Sequence, residues 1–165
     1  MNTTRLALVT ALALSVGACG SVNVIVSGTY TGTVTNGVNS CPGTWTTGQA
    51  SNADVTVAQT GSSVSLQVQG AAGLLLQLGF GTNAFSGSVS GGHIDATIIG
   101  SVSSTAGGCQ YTFDGNLSGD LVGNTLSGTI TYTPKTNGNA DCTAMGITGC
   151  SRVQSFTMNR PPKTM

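Results

Sequence analysis

Four segments of the sequence share a short pattern in which apolar residues or glycine alternate with polar residues. The segments span residues 30–35, 85–90, 117–121 and 126–131. A period of two is that of a β-strand, so the apolar residues and the glycine share one face and the hydroxyl side chains share the other. A glycine on the inner face lets a strand bend strongly and leaves room for an aromatic neighbour. The pattern therefore predicts strongly curved strands of the kind that close a sheet on itself.

The rest of the chain predicts further strands joined by tight turns. Residues 53–69 form one predicted hairpin, turns at 91–92 and 123–124 join two more pairs of strands, and 154–158 is the last strand. About eight strands in antiparallel meander order predict an all-β fold that closes into a small up-and-down β-barrel, with the last strand paired to the first. A two-layer β-sandwich is the alternative. Residues 74–80 are strongly apolar, and periodicity does not choose between a strand and a short helical plug there.

Composition agrees with an all-β fold and excludes some classes of function. Charged residues make up 6% of the chain, with five basic and five acidic side chains, and glutamate is absent. Thr, Val and Ile favour strands, whereas the helix formers Glu and Lys are scarce. A neutral chain without a basic stripe is not expected to bind nucleic acid. Thr, Ser, Asp and Gln on the outward faces also argue against a barrel with a lipid-facing apolar band.

The N-terminus has the pattern of a secretory signal peptide. One basic residue precedes an apolar run over 6–16, which is too short to span a membrane and is followed by small residues. The run ends in Val16-Gly17-Ala18-Cys19, which resembles the lipobox of bacterial lipoproteins. The resemblance implies cleavage before Cys19 and acylation of its thiol and its new α-amine. An ordinary cleavage region with a chance cysteine is the alternative.

The same resemblance implies a location and a set of domain boundaries. Gly20 follows the cysteine, whereas in this family an Asp at that place often keeps the protein in the inner membrane. In a diderm bacterium, this implies lipid anchoring in the cell envelope, at the outer membrane or the cell surface. The predicted regions are a signal peptide at 1–18, a lipidated N-terminus and short tether at 19–26, a β-barrel domain at 27–160 and a disordered tail at 161–165.

Four further cysteines predict disulfides. Cys41, Cys109, Cys142 and Cys150 are an even number in an exported chain, which indicates two bridges with three possible connectivities. Cys142 and Cys150 bracket a glycine-containing loop, so we expect them to pair locally and Cys41 to pair with Cys109. A zinc site is the alternative, but the sequence lacks the C-x2-C spacing or the histidine partners that such a site requires.

Few residues point to catalysis. His93 is the only histidine, and it shares a predicted strand face with Asp95. A Ser-His-Asp set would need a serine from the adjacent strand and an oxyanion hole, so a surface histidine beside a turn is the favoured interpretation. The loop at 137–141 indicates a polar turn rather than a calcium site. With no cofactor motif and no metal-ligand pattern, the sequence predicts that the protein is not an enzyme.

Trp45 is the one candidate for a ligand contact. It is the sole tryptophan and lies in the loop after the first strand. In a barrel that loop can lie over one mouth, where small ligands tend to bind. The favoured interpretation, however, is that Trp45 packs beside a disulfide and closes the barrel end.

These features together predict a lipid-anchored, non-enzymatic binding module. The architecture over residues 27–158 broadly resembles lipocalin-like and avidin-like barrels, although none of their ligand motifs can be matched residue by residue. The expected partners are the membrane, through the lipid on Cys19, and a small apolar or glycan ligand or an envelope protein. The alternative is a structural or surface lipoprotein that contacts envelope polymers or inhibits a partner protein. An open interior favours the first function, and a filled interior favours the second.

Overall fold

The computed structural model describes residues 24–162, and these residues form nine β-strands and two short helices. The elements in chain order are β1 Gly28–Asn39, β2 Ala50–Thr60, β3 Ser63–Gln69, α1 Gly70–Phe80, β4 Ala84–Ser90, β5 His93–Ile99, β6 Ser104–Ala106, β7 Cys109–Val122, β8 Thr125–Thr136, α2 Ala140–Ala144 and β9 Arg152–Asn159. The lipobox with Cys19 and residues 163–165 of the predicted tail lie outside the described residues.

Eight of the strands close into an antiparallel barrel. The strands pair in the order β1-β2-β3-β4-β5-β7-β8-β9, and β9 pairs in turn with β1. That last pairing runs from Thr31 opposite Asn159 to Asn39 opposite Arg152. The remaining strand, β6, pairs with the start of β7. The predicted up-and-down barrel with its first and last strands paired is therefore confirmed, and the β-sandwich alternative is wrong.

The two ends of the barrel differ in their connections. Tight turns at 61–62, 91–92 and 123–124 lie at one end, together with the start of β1 and the end of β9. At Gly91 and Gly92 the backbone has φ of 59° and 93°, as a two-residue type I′ hairpin turn requires. All the longer connections, including both helices and β6, lie at the other end. We call these the closed end and the open end.

The predicted alternation is observed along the strands. In β2, Val55 and Val57 are buried and Thr56 between them is exposed. The largest fully buried side chains all come from the inward face or its margin: Tyr30, Phe85, Ile94, Ile98 and Leu126. Burial of these side chains provides most of the favourable free energy of folding, because hydroxyl side chains occupy much of the outer face.

The chain before β1 covers the closed end. Val26 is completely buried, and its carbonyl oxygen accepts a hydrogen bond of 2.6 Å from the Tyr30 hydroxyl. The Val26 N–H donates to the Gln59 side chain at 2.7 Å. The Arg160 guanidinium donates to the carbonyl oxygens of Ile25 and Ser27 at 2.9 and 3.1 Å. Residues 24–27 are thus part of the folded domain.

All four cysteines form disulfides as predicted, but the predicted pairing is wrong. Cys41 bonds to Cys150, and Cys109 bonds to Cys142. Cys41 and Cys150 continue the register of the β1–β9 pairing past Asn39, so barrel closure places them opposite each other. Cys142 lies on α2, which packs against β7, and it faces the first residue of that strand. These two tertiary contacts determine the pairing, so Cys142 and Cys150 do not form the local disulfide that the sequence predicted.

The apolar stretch at 74–80 is helical. It forms the greater part of α1, which ends at Gly81 and packs against β2, β3 and β7 at the open end. Three leucines of this helix are largely exposed, with exposed fractions of 59% for Leu74, 69% for Leu75 and 66% for Leu78. Neither helix within residues 24–162 has the length and hydropathy needed to cross a membrane.

The inner-face glycines lie where neighbouring strands approach too closely for a side chain. A Cβ atom built on Gly87 would lie 2.5 Å from the Cα of Ala96 on β5. On Gly128 it would lie 2.5 Å from the Cα of Gly119, and on Gly32 2.6 Å from the Cα of Met158. These glycines allow the strong bending of β1, β4 and β8 that closure requires.

We predict that Gly87→Ala lowers the free energy of unfolding by about 1–3 kcal/mol, the usual cost of overpacking. Gly79→Ala is the matched control, because no non-neighbouring atom lies within 4 Å of its Cβ position and alanine favours the helix. Chemical denaturation of both variants measures the difference. An unchanged unfolding midpoint for Gly87→Ala would contradict the proposed role of the inner glycines.

Candidate functional site

The barrel interior contains a cavity of about 800 Å³. It extends to the open end, because residues of the 40–49 loop and of α1 form part of its lining. Most of the deeper lining is apolar: Val55, Leu66, Phe85, Leu126, Phe156 and Met158. Pockets for small molecules in proteins have volumes of roughly 300–1,000 Å³, so this cavity falls in that range.

The inner glycines of β7 and β8 explain how eight strands leave space inside. A Cβ on Gly115 would lie 2.9 Å from the Tyr132 ring. A Cβ on Gly119 or on Gly128 would lie 2.8 or 2.9 Å from the Phe156 ring. Both rings therefore lie directly against the barrel wall, where a side chain would otherwise stand. Interiors of about this strand number are often filled by side chains, and here wall-packed rings leave the centre open.

Helix α1 forms one side of the opening. Ala72, Leu75, Leu76 and Phe80 line the cavity from this helix. The Phe80 ring lies 5.5 Å from the Tyr132 ring, measured between centroids, which joins the helix to the wall. The opening is thus bordered by apolar side chains of α1 on one side and by the 40–49 loop on the other.

Trp45 lies at the opening of the cavity. Its indole N–H donates to the Gly37 carbonyl oxygen at 2.9 Å, and its ring lines the cavity. The Arg152 guanidinium carbon lies 5.7 Å from the centre of the Trp45 ring and 5.2 Å from that of Phe113. The hydrogen bond to Gly37 and the contact with Arg152 thus hold the Trp45 ring at the border of the cavity.

A short polar strip interrupts the apolar lining near the opening. The Tyr132 hydroxyl donates to Gln154 Oε1 at 3.0 Å, and Gln154 Nε2 donates to Asn36 Oδ1 at 2.8 Å. Burial raises the pKa of the Tyr132 hydroxyl, so Tyr132 remains a neutral donor. This chain of hydrogen bonds uses both polar atoms of the Gln154 side chain.

Arg152 is the functional residue that the sequence analysis missed. It lines the cavity, and its Nη2 donates to the Pro42 carbonyl oxygen at 2.7 Å. Its Nε is buried and has no hydrogen-bond partner among the described residues. The sequence contains a pattern that indicates this position, because Arg152 continues the series of alternate, inward-facing residues Gln154, Phe156 and Met158. The last strand was predicted to start at Gln154, two residues too late.

A second cluster lies on the outer surface. His93 Nδ1 lies 2.7 Å from Asp120 Oδ1, and His93 Nε2 lies 3.3 Å from Ser118 Oγ and 3.4 Å from Asp95 Oδ1. The sequence placed His93 beside Asp95 on one face, and the structure adds Ser118 and Asp120 from the adjacent strand β7. The spacing is that of a Ser-His-Asp set.

The surroundings of this cluster favour a surface ion pair instead. The His93 side chain is 43% exposed, and Asp95 lies against the same Nε2 that a general base would use. Ser118 lies on β7 between β5 and β8, where ladder pairing on both sides uses the backbone N–H groups that would form an oxyanion hole. The hydrogen bond that the His93 ring donates to the Asp120 carboxylate raises the pKa of His93, which favours the imidazolium form between two carboxylates.

Potential metal ligands are scattered over the part of the chain that the structure describes. Within residues 24–162, no cluster of three or more His, Cys, Asp or Glu side chains could hold a metal ion. In the loop at 137–141, Asp141 accepts a hydrogen bond of 2.8 Å from the Gly108 N–H, and Asn139 caps α2. These contacts are those of a structured polar turn.

We predict that His93 stabilises the fold at low pH and not at high pH. Its folded-state pKa is raised, so its contribution is fully present below the unfolded pKa of about 6.5 and is lost as the pH rises through the folded pKa. At about pH 5.5 the melting temperature of His93→Gln should therefore be lower than that of the unaltered protein, and at about pH 9 the two should be equal. Asp120→Asn should abolish most of this pH dependence. An equal deficit of His93→Gln at both pH values would contradict the assignment.

Comparison with known proteins provides no relative from which a function can be transferred. No family model, curated protein or solved structure matches this chain. The cavity and the residues that line it are therefore the basis for assigning a function.

Proposed function

We propose that this protein is a lipid-anchored lipoprotein of the bacterial cell envelope that binds a small apolar molecule inside its barrel. The observation that carries the proposal is the apolar cavity of about 800 Å³ that opens at one end. A filled interior would have favoured the alternative, a structural or surface lipoprotein that acts through its outer face. The proposed module is non-enzymatic.

The lining favours an apolar ligand over a glycan. The deep wall is formed by aliphatic and aromatic side chains, whereas sugar hydroxyls require several free donors and acceptors. The polar strip is mostly committed to its own hydrogen bonds, from Tyr132 to Gln154 and from Gln154 to Asn36. Burying an apolar molecule here gains about 25 cal/mol for each Å² removed from water.

The position of the N-terminus supports an orientation on the membrane. Residues 24–27 cover the closed end, and Cys19 lies five positions before Val24. Five residues span at most about 17 Å. A lipid on Cys19 would therefore hold the closed end near the membrane and leave the opening directed away from it, toward the periplasm or the medium. With Gly20 after the cysteine, we place the protein at the outer membrane or cell surface.

The ligand-binding part of the proposal can be tested with phenylnaphthylamine, a neutral fluorescent apolar probe. Ala53 lines the cavity, and Ala58 lies exposed on the same strand, so Ala53→Phe fills the cavity and Ala58→Phe is its matched control. We expect the unaltered protein and Ala58→Phe to bind the probe, with a change in Trp45 fluorescence. Ala53→Phe should bind at least about tenfold more weakly, since it removes the space available. Absence of binding to the unaltered protein, or equal binding by the two variants, would contradict the proposal.

The anchor can be tested by mass spectrometry of the mature protein from a bacterial host. We expect acylation at Cys19, and Cys19→Ser should leave an unprocessed precursor without lipid, because the thiol that receives the diacylglycerol is removed. Gly20→Asp is the control, since it keeps the thiol and should keep the lipid. A lipid-free mature protein from the unaltered gene would contradict the proposed anchoring.

A further inference from the structure

We propose that the molecule in the cavity is an amphipathic carboxylate whose head group pairs with Arg152 at the opening and whose alkyl chain lies in the barrel. This inference rests on the proposed function, because it specifies the class of ligand for the same cavity. It is carried by the contacts of Arg152 rather than by the cavity volume.

Arg152 is a cation with unused hydrogen-bonding capacity at the cavity wall. Nη2 donates to the Pro42 carbonyl oxygen, whereas the buried Nε has no partner among residues 24–162. Within those residues, the ion pairs within 4.0 Å involve only His93, so no carboxylate of the described chain neutralises Arg152. A charge without a counter-charge costs free energy in a partly buried site, and an anionic ligand that pairs with the accessible part of the guanidinium would relieve that cost.

The rings around Arg152 strengthen this assignment. The guanidinium lies between Trp45 and Phe113, with its central carbon 5.7 and 5.2 Å from the ring centres. At these distances the rings attract the guanidinium and help to fix its position, but they do not neutralise its charge. An oriented, partly desolvated guanidinium is suited to a carboxylate, which its planar array of N–H donors matches in geometry.

Arg160 at the closed end provides an internal comparison. Its Nε is also buried and has no partner in the described part of the chain, and its guanidinium lies over the Tyr30 ring. Its Nη1, however, donates to two carbonyl oxygens of the segment before β1, and Arg160 does not line the cavity. An unpartnered Nε is therefore not sufficient by itself. The position of Arg152 on the wall of an apolar cavity makes the difference.

The direction of β9 indicates the shape of the ligand. Arg152, Gln154, Phe156 and Met158 line the cavity in succession from the opening toward the closed end. At about 3.3 Å per residue, the strand covers about 20 Å from Arg152 to Met158. One charged group stands at the start of this path and apolar side chains follow, which matches a single anionic head and a long alkyl chain. A doubly charged phosphate head would need more donors than this one guanidinium leaves free.

The test compares two probes that differ only in the charge of the head group, dansyl-labelled undecanoate and its methyl ester. Binding is measured by dansyl fluorescence and by quenching of Trp45. We expect the unaltered protein to bind the acid at least about tenfold more tightly than the ester, the usual value of a charge-assisted hydrogen bond. Arg152→Gln should bind the two probes equally, with the ester affinity changed little. Arg152→Lys keeps the charge and should keep part of the preference for the acid.

Lys135→Gln is the matched control for net charge, since Lys135 is exposed on β8 and does not line the cavity. It should keep the full preference for the acid. Equal binding of acid and ester by the unaltered protein would overturn the carboxylate assignment and leave the apolar binding function standing. Parallel loss of both probes in Arg152→Gln and in Arg152→Lys would also overturn it, because Arg152 would then be only structural. If neither probe binds the unaltered protein, the proposed function fails as well.

Discussion

The antiparallel pairing of β1 with β9 is the interaction on which the rest of this structure depends. It joins the first and last strands, so that the eight barrel strands have no free edge between them. Its register also places Cys41 opposite Cys150, and the disulfide ties the closure together just beyond the end of β1. Closure fixes which face of each strand points inward, and it therefore determines which side chains can meet in the cavity.

Closure also places two arginines with different contacts at the two ends of the barrel. At the closed end, Arg160 binds the carbonyl oxygens of Ile25 and Ser27, and Val26 fills the space beneath Tyr30. At the open end, Arg152 lies close to two aromatic rings, and its Nε has no partner among the residues that the structure describes. In a chain with 6% charged residues, two of the five basic side chains thus stand at opposite ends of one interior, one in a structural role and one facing a cavity.

The fold could be predicted from the sequence because its signals are local and repeated. Alternation and two-residue turns indicate strands and their order, and inner glycines indicate curvature. The disulfide pairing could not be predicted in the same way, since Cys41 meets Cys150 only through the register of strands separated by most of the chain. The loop position of Trp45 raised a ligand contact as one of two interpretations, and in the structure its ring borders the cavity. Arg152 was missed because an inward-facing arginine contradicts the usual burial of apolar side chains, and only the wall around it explains its position.

The proposed function depends on an apolar cavity inside the barrel that a ligand can enter. Diffraction from crystals pressurised with xenon would show this cavity, because xenon occupies apolar cavities without requiring a particular head group. We expect xenon inside the barrel, in contact with the side chains of Phe85, Leu126 and Met158 that line the cavity. An interior filled by these side chains, with xenon found only on the outer surface, would rule out binding inside the barrel.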